Sequence, residues 1–172
     1  MLEKLRVKDE IRIEMVCLGN ICRSPMAAAV LHNKVQDLVT PKVIVTSSGT
    51  SNYHIGEGAH KLSLRTWEKA GYKYDHSAKQ FSKRSFAEQD LILCMDLSNR
   101  ALVLTAAESE EDRAKVFLLR QFDPELKDID PLSRQGEDLV VPDPWGMESD
   151  AFEEVLKMIE RATDGLINQL TK

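Results

Sequence analysis

Cys17 and Arg23 stand at the ends of the run Cys17-Leu18-Gly19-Asn20-Ile21-Cys22-Arg23, followed by Ser24, a C-x5-R-[ST] pattern. A five-residue loop between a strand and a helix can curl its backbone N–H groups inward as an anion nest. The helix N-terminus adds free N–H groups and the positive end of its dipole. Gly19 and Asn20 are residue types that tolerate the positive φ so tight a loop requires. Arg23 closes the ring with a planar fork that fits two phosphate oxygens. A cysteine at the base of that cradle sits where each of these fields favours the thiolate. A thiolate beneath a bound phosphate is a nucleophile aimed at phosphorus. Ser24 can donate a hydrogen bond to Cys17 and ease its departure. Taken alone, C-x5-R also fits a core cysteine and a surface arginine; the flanking strand, Gly19, Asn20 and Ser24-Pro25 separate the two readings. C-x4-C lacks the second Cys/His pair of a zinc site, and G-x-x-x-x-G-K, the Walker loop, is absent.

Attack on a phosphate ester calls for an acid that protonates the departing oxygen. Val141-Pro142-Asp143-Pro144-Trp145 supplies a candidate in Asp143, held between two prolines that stiffen the backbone. Trp145 is expected to shield that acid from water.

These groups need elements to position them. Residues 11–17 mix β-branched and apolar side chains and read as a buried strand, and Ser24-Pro25 reads as a helix start. Further strands are predicted at 43–48, 91–95 and 115–119. Helices are predicted after Ser24, over 60–70, around 82–89 and from Asp96 to about Ala107. Residues 108–113 read as a charged connection. Residues 123–149 hold four of the six prolines and read as one long loop, a kind of segment that is more often functional than not. The last segment is an amphipathic helix with Phe152, Val155, Ile159, Ala162, Leu166 and Leu170 on one face. Strands alternating with helices predict a single α/β domain: a central four-stranded parallel sheet with helices on both faces, flavodoxin-like or Rossmann-like. Ligands in such folds bind beyond the carboxyl ends of strands, and the first strand ends at Cys17. Residues 1–10 read as a polar lead-in and 11–172 as the domain.

The 172 residues are 42% hydrophobic and 30% charged, values of an ordinary globular chain. Size scaling lets about 70% of the unfolded surface be buried, enough for a core without staples. With 23 Lys+Arg against 28 Asp+Glu, the net charge of −5 argues against a nucleic-acid partner. No stretch of 18 apolar residues spans a membrane, and the charged start is unlike a secretory signal. Three cysteines do not make a disulfide framework, so the expected location is cytoplasmic. Cys17 and Cys22, five positions apart in a curled loop, are expected to bring their sulfurs near bonding distance. Oxidation of Cys17 to a sulfenic acid and its capture by Cys22 would then give a reversible disulfide.

V-C-L-G-N-I-C-R-S-P-M-A, followed far downstream by D-P-W, resembles the low-molecular-weight protein tyrosine phosphatases. The likeness extends to T-S-S-G-T-S-N-Y-H-I-G after the second strand, H-S-A-K-Q at 76–80, L-I-L-C-M-D-L-S-N at 91–99 and the closing helix. It implies that Cys17 forms a phosphocysteine and that Arg23 and the backbone of 18–23 bind the phosphoryl group. It also implies that Asp143 is general acid and then general base, and that Ser24 supports the thiolate. Asn20, Ser47 and His76 match a network that shapes the phosphate loop, and Tyr53 and Trp145 match the aromatic walls of the cleft. The implied substrates are phosphotyrosine proteins, and no metal or cofactor is needed; the sequence does not give the oligomeric state, for which a monomer is the expectation. The family often carries D-P-Y-Y or D-P-W-Y where this chain has Gly146 after Trp145, and the connection at 126–140 is longer than usual. His32, His54 and His60 belong to no motif, and Asp96 is read as structural.

Two alternatives share the fold. An arsenate reductase needs a redox relay of two further cysteines, and only Cys94 is available. A phosphoarginine phosphatase tends to carry threonine where this chain has Ile21, whose apolar surface suits a phenyl ring. A non-catalytic phosphopeptide-binding module would be expected to lack Cys17 or Asp143, and both are present.

Overall fold

The computed structural model describes residues 2–171. Four strands, β1 (Glu10–Cys17), β2 (Lys42–Gly49), β3 (Leu91–Cys94) and β4 (Val116–Leu118), pair in parallel in the order β2-β1-β3-β4. Ile11, Ile13, Met15 and Cys17 of β1 face one core, while Val16 joins Ile92 and Cys94 in a second core on the opposite face. The period-2 alternation of a strand with both faces buried produces this division.

Helices cover both faces, as predicted. The first core is roofed by α1 (Leu2–Leu5), α2 (Arg23–Val35), α3 (Lys61–Lys69) and α7 (Ser149–Leu170), which contribute Leu5, Met26, Leu31, Trp67, Phe152 and Ile159. The second is closed by α4 (Ser85–Glu88) and α5 (Leu97–Thr105) with Phe86 and Val103. The whole apolar face predicted for the last helix is buried.

Several boundaries differ from the sequence reading. α2 begins at Arg23, with Cys22 at the cap, ahead of Ser24-Pro25. The charged connection contains a one-turn helix, α6 (Glu110–Arg113), nucleated by a capping box between Ser109 and Asp112. Leu2–Leu5, inside the polar lead-in, forms a helical turn because Leu5 reaches the core. The strand expected at 115–119 ends at Leu118 and gives way to a 3-10 turn, Leu119–Phe122; the long loop holds another at Arg134–Leu139, and Leu139 and Val141 pin it to the body. Among the described residues, no helix is long and apolar enough to cross a membrane.

The chain runs from β1 to one side for β2, then returns past β1 to β3. The strand order therefore switches beside β1, whose carboxyl end is Cys17. That crevice is where an open parallel sheet binds its ligand.

Candidate active site

The loop from Leu18 to Cys22 owes its shape to where its carbonyls go. Those of Cys17 and Leu18 accept from the N–H groups of Thr50 and Ser51, both at 2.9 Å. The Asn20 carbonyl lies 2.6 Å from His76 Nε2, and that of Ile21 accepts from His60 N–H at 2.8 Å. The Cys22 carbonyl accepts from Ser63 Oγ at 2.7 Å. With the carbonyls drawn outward, the peptide N–H groups are left to face the hollow of the loop, which is the geometry of an anion nest. Asn20 donates its N–H to Cys17 Sγ at 3.3 Å.

Of the two residues expected to take positive φ, only Asn20 does, at 58°. Gly19 lies close against a side chain: a Cβ there would come within 3.1 Å of His54 Cδ2, and the imidazole would have to give by a few tenths of an ångström. At the end of β2, a Cβ on Gly49 would meet the Leu18 carbonyl at 2.7 Å, so only glycine lets the strand pass under the loop.

Asn20 holds its left-handed conformation through both ends of its amide. Its Nδ2 donates to Ser24 Oγ at 2.8 Å and Ser47 Oγ at 2.9 Å, and its Oδ1 accepts from Lys79 N–H at 2.9 Å. The expected network of Asn20, Ser47 and His76 is thus brought together around one buried side chain. Ser24 Oγ lies 3.0 Å from Cys17 Sγ and 3.3 Å from the Ser48 carbonyl.

Burial lowers the pKa of His76, and its hydrogen bond to the Asn20 carbonyl offsets only part of that. The folded chain therefore resists a proton that the unfolded chain accepts at its ordinary value of 6.5. His76 stabilises the fold fully above that value, and its contribution falls as pH drops through 6.5 toward the lower folded value. Urea midpoints at pH 7.5 and 5.5 are expected to differ in the wild type and to converge in His76→Gln.

Arg23 is buried at 3% exposure. Its Nη1 donates to Asp96 Oδ2 at 2.6 Å and to the Val141 carbonyl at 3.0 Å, and its Nη2 lies 3.5 Å from Asp143 Oδ2. Burial alone would lower the pKa of the guanidinium. The facing Cys17, the Asp96 hydrogen bond and the Asp143 charge outweigh it and hold the pKa above its ordinary value. Burial, with Asp143 and Cys17 nearby, pushes the Cys22 thiol up to about 12, against the pull of Arg23.

Asp96, read as structural, sits between two partners. It caps α5 by accepting from Asn99 N–H at 2.7 Å while its other oxygen anchors Arg23. The two roles separate by substitution. Asp96→Asn keeps a capping oxygen and loses the charge. It should lower kcat/KM for phosphomonoesters by at least about tenfold, since a hydrogen bond to a charged group is worth about 1.5–3 kcal/mol. Asp96→Ala should add a loss of about 1 kcal/mol of stability from the cap. Steady-state kinetics beside denaturant melts check both.

These groups open on a cleft of about 260 Å³. Cys17, Cys22 and Arg23 lie deepest, Leu18, Ile21, Tyr53 and Trp145 supply apolar walls, and Asp143 stands at the side. Asp143 is 44% exposed and accepts from Trp145 N–H at 3.2 Å. Trp145 does not shield it as expected, because its own side chain projects to solvent. His54, which belonged to no motif, lines the cleft beside Gly19 and is bonded through Nδ1 to Glu57 at 2.8 Å. Its adjacency to Tyr53 was the signal available in the sequence. Cys94 is fully buried in the core on the far face of the sheet.

A family model described as low molecular weight phosphotyrosine protein phosphatase matches residues 12–172. A low molecular weight protein-tyrosine-phosphatase of Streptomyces coelicolor is 40% identical over 157 residues, covering 91% of each chain. The low molecular weight phosphotyrosine protein phosphatase of Sus scrofa is 34% identical, covering 90% of this chain and 92% of its own. A crystal structure of an Entamoeba histolytica protein tyrosine phosphatase superposes with a TM-score of 0.81 at 31% identity, over 93% of this chain and 96% of that one. Matched over nearly its full length by the family model and by relatives of this identity, the chain belongs to the low molecular weight phosphotyrosine protein phosphatase family.

Proposed function

We propose that this protein hydrolyses phosphotyrosine in proteins through a covalent phosphocysteine on Cys17, with residues 11–172 acting as one catalytic domain. The observation that carries the reading is the convergence of Cys17, Arg23 and Asp143 on one cleft, at a loop in which the carbonyls of Cys17, Leu18, Asn20, Ile21 and Cys22 are bonded to flanking segments. The ester's phosphoryl oxygens sit among the N–H groups of residues 18–23 and the Arg23 guanidinium. The Cys17 sulfur attacks phosphorus in line with the departing oxygen, to which Asp143 gives its proton. Asp143 then takes a proton from the water that attacks the phosphocysteine, and inorganic phosphate leaves. Donors from Asn20 N–H and Ser24 Oγ stabilise the sulfur as leaving group.

Apolar contacts from Leu18, Ile21, Tyr53 and Trp145 favour a phenyl ring over a guanidinium or a serine side chain. The burial of Cys94 away from the cleft argues against a thiol relay for arsenate reduction. The test is turnover of phosphotyrosine, phosphoserine and phosphoarginine peptides, with arsenate reduction assayed in parallel. Hydrolysis confined to phosphotyrosine is expected, and equal or greater turnover of phosphoarginine or arsenate would overturn the reading.

The same loop carries a redox reading, in keeping with a reducing, cytoplasmic setting. Peroxide oxidises the Cys17 thiolate to a sulfenic acid and is itself reduced to hydroxide, which takes up a proton as water. Cys22 then attacks that sulfur, and its proton leaves with the displaced hydroxide as a second water. After peroxide and then dithiothreitol, wild type is expected to recover most of its activity and Cys22→Ser much less. Equal recovery would remove Cys22 as the resolving thiol.

A further inference from the structure

Asp123 is a fully buried carboxylate that the proposed chemistry does not use. The last helix brings it a partner. Gly165 of α7 lies so close to the 3-10 turn Leu119–Phe122 that a Cβ there would come within 1.8 Å of the Phe122 carbonyl oxygen. Only glycine lets the helix rest on that turn. One helical turn earlier, Arg161 reaches Asp123, and its Nε and Nη2 donate to Oδ2 at 3.1 and 3.0 Å. Asp123 Oδ1 accepts from Glu125 N–H at 3.1 Å. Charged donors of this kind are what make a buried carboxylate tolerable.

A second guanidinium joins the cluster. The Arg120 side chain is 11% exposed, and its Nη2 lies 4.0 Å from Asp123 Oδ2. Its Nη1 donates to the Val140 carbonyl at 2.8 Å. The planar fork thus turns one prong toward the buried acid and sets the other on the long loop. Arg120 Nε is buried and has no hydrogen-bond partner among the described residues. Holding a cation there with one donor unsatisfied costs stability, and what it secures is the Val140 carbonyl.

The catalytic segment follows directly. Val140 is extended, with φ −79° and ψ 136°. The Val141 carbonyl accepts from Arg23 Nη1 at 3.0 Å, and Val141 N–H donates to the Met95 carbonyl at 2.7 Å. Two consecutive carbonyls are therefore gripped by two different arginines, one from the buried cluster and one from the phosphate cradle. Asp143 comes two residues later, between Pro142 and Pro144. Proline fixes φ, so a displacement at 140–141 is passed on to Asp143 more than it is absorbed. Among the described residues, the polar partners of the half-exposed Asp143 side chain are Arg23 Nη2 and the Trp145 N–H. Its place beside the cleft rests on the backbone that carries it.

We propose that Arg120, braced against Asp123, is a positioning residue for the general acid: its bond to the Val140 carbonyl sets the aim of Asp143 at the departing oxygen. The proposal rests on the phosphotyrosine reading above and adds to it a residue outside the lining of the cleft. Misplacing a catalytic group by about 1 Å can cost about 10²-fold in rate.

Arg120→Met removes both prongs at similar bulk. The experiment compares kcat/KM for a phosphotyrosine peptide and for p-nitrophenyl phosphate in wild type, Arg120→Met, Asp143→Asn and the double variant. In Arg120→Met the peptide should slow by at least about tenfold, the lower end of what a hydrogen bond to a charged group is worth. p-Nitrophenyl phosphate should slow much less, since nitrophenolate leaves without a proton. The ratio of the two is internal to each preparation, so the folded fraction cancels. Once Asp143 is Asn, adding Arg120→Met should cost the peptide little more, because the group it positions is gone. Arg161→Met is the control for a looser fold. It removes the Arg161 donors to Asp123 and leaves Arg120 facing both Asp123 and Val140. It should lower the urea midpoint and keep the substrate ratio of wild type. An unchanged ratio in Arg120→Met, or a double-variant loss equal to the product of the single losses, overturns the positioning role; an unequal loss in Asp143→Asn then leaves the phosphatase reading intact. Equal slowing of both esters in Asp143→Asn removes the acid itself, and the proposal with it. A ratio shift in Arg161→Met as large as in Arg120→Met would assign the effect to the packing of α7 and overturn the proposal.

Discussion

Cys17→Ser is expected to lose phosphotyrosine turnover by on the order of 10⁴-fold or more, as loss of a catalytic nucleophile does elsewhere. A serine hydroxyl is not ionised near neutral pH, and the neutral oxygen is a poor nucleophile toward phosphorus. The variant should still bind inorganic phosphate, because the cradle is made of backbone N–H groups and Arg23, whose positions depend on Thr50, Ser51, His60, Ser63, His76 and Asp96. Calorimetric phosphate titration and single-turnover assays separate the two properties. Measurable steady turnover in Cys17→Ser would sink the assignment of the nucleophile.

Asp143→Asn is expected to act unequally on different substrates. Phosphotyrosine releases a poorly stabilised phenolate and depends on protonation, whereas nitrophenolate leaves readily without it. General acid assistance is worth about 10²–10⁴-fold, so the loss should approach that range for phosphotyrosine and be much smaller for p-nitrophenyl phosphate. The substitution also removes a negative charge 3.5 Å from Arg23 Nη2. Phosphate affinity should therefore rise or hold while catalysis falls, which distinguishes loss of an acid from collapse of the site. Equal slowing of both esters would mean that Asp143 is not the acid.

How much of this was legible beforehand depended on the range of the interactions. The strand ending at Cys17, the roofing helix and the buried face of the last helix follow from local periodicity, and the C-x5-R spacing carries its own geometry. The bonds that hold the loop do not. That Asp96 grips Arg23 across 73 positions leaves no periodic trace, because an N-cap aspartate before a helix looks the same whether or not its second oxygen is engaged. Gly19 illustrates the same limit. Its residue type was read as a requirement for positive φ, which it does not adopt; what crowds it is a histidine side chain 35 positions downstream. Trp145 was read as a cover for the acid, but proline-rich segments without periodicity give no direction for their side chains. In the fold, it lines the cleft while staying largely exposed.

The bonds that shape the cradle also set when it can exist. Asn20 is tied to Ser47 and His76, Cys22 to Ser63, and Arg23 to Asp96 and Val141, over separations of 27, 56, 41, 73 and 118 positions. Each requires closure of a long loop, whose entropic cost must be met before the contact forms. The N-terminal third of the chain contains Cys17, yet a nascent or partly folded chain that stops short of Val141 lacks one of the two bonds that fix Arg23 Nη1. Regain of activity on refolding should therefore track the slowest global phase and not the earlier appearance of helix. Until those long-range contacts close, Cys17 is present without the cradle around it.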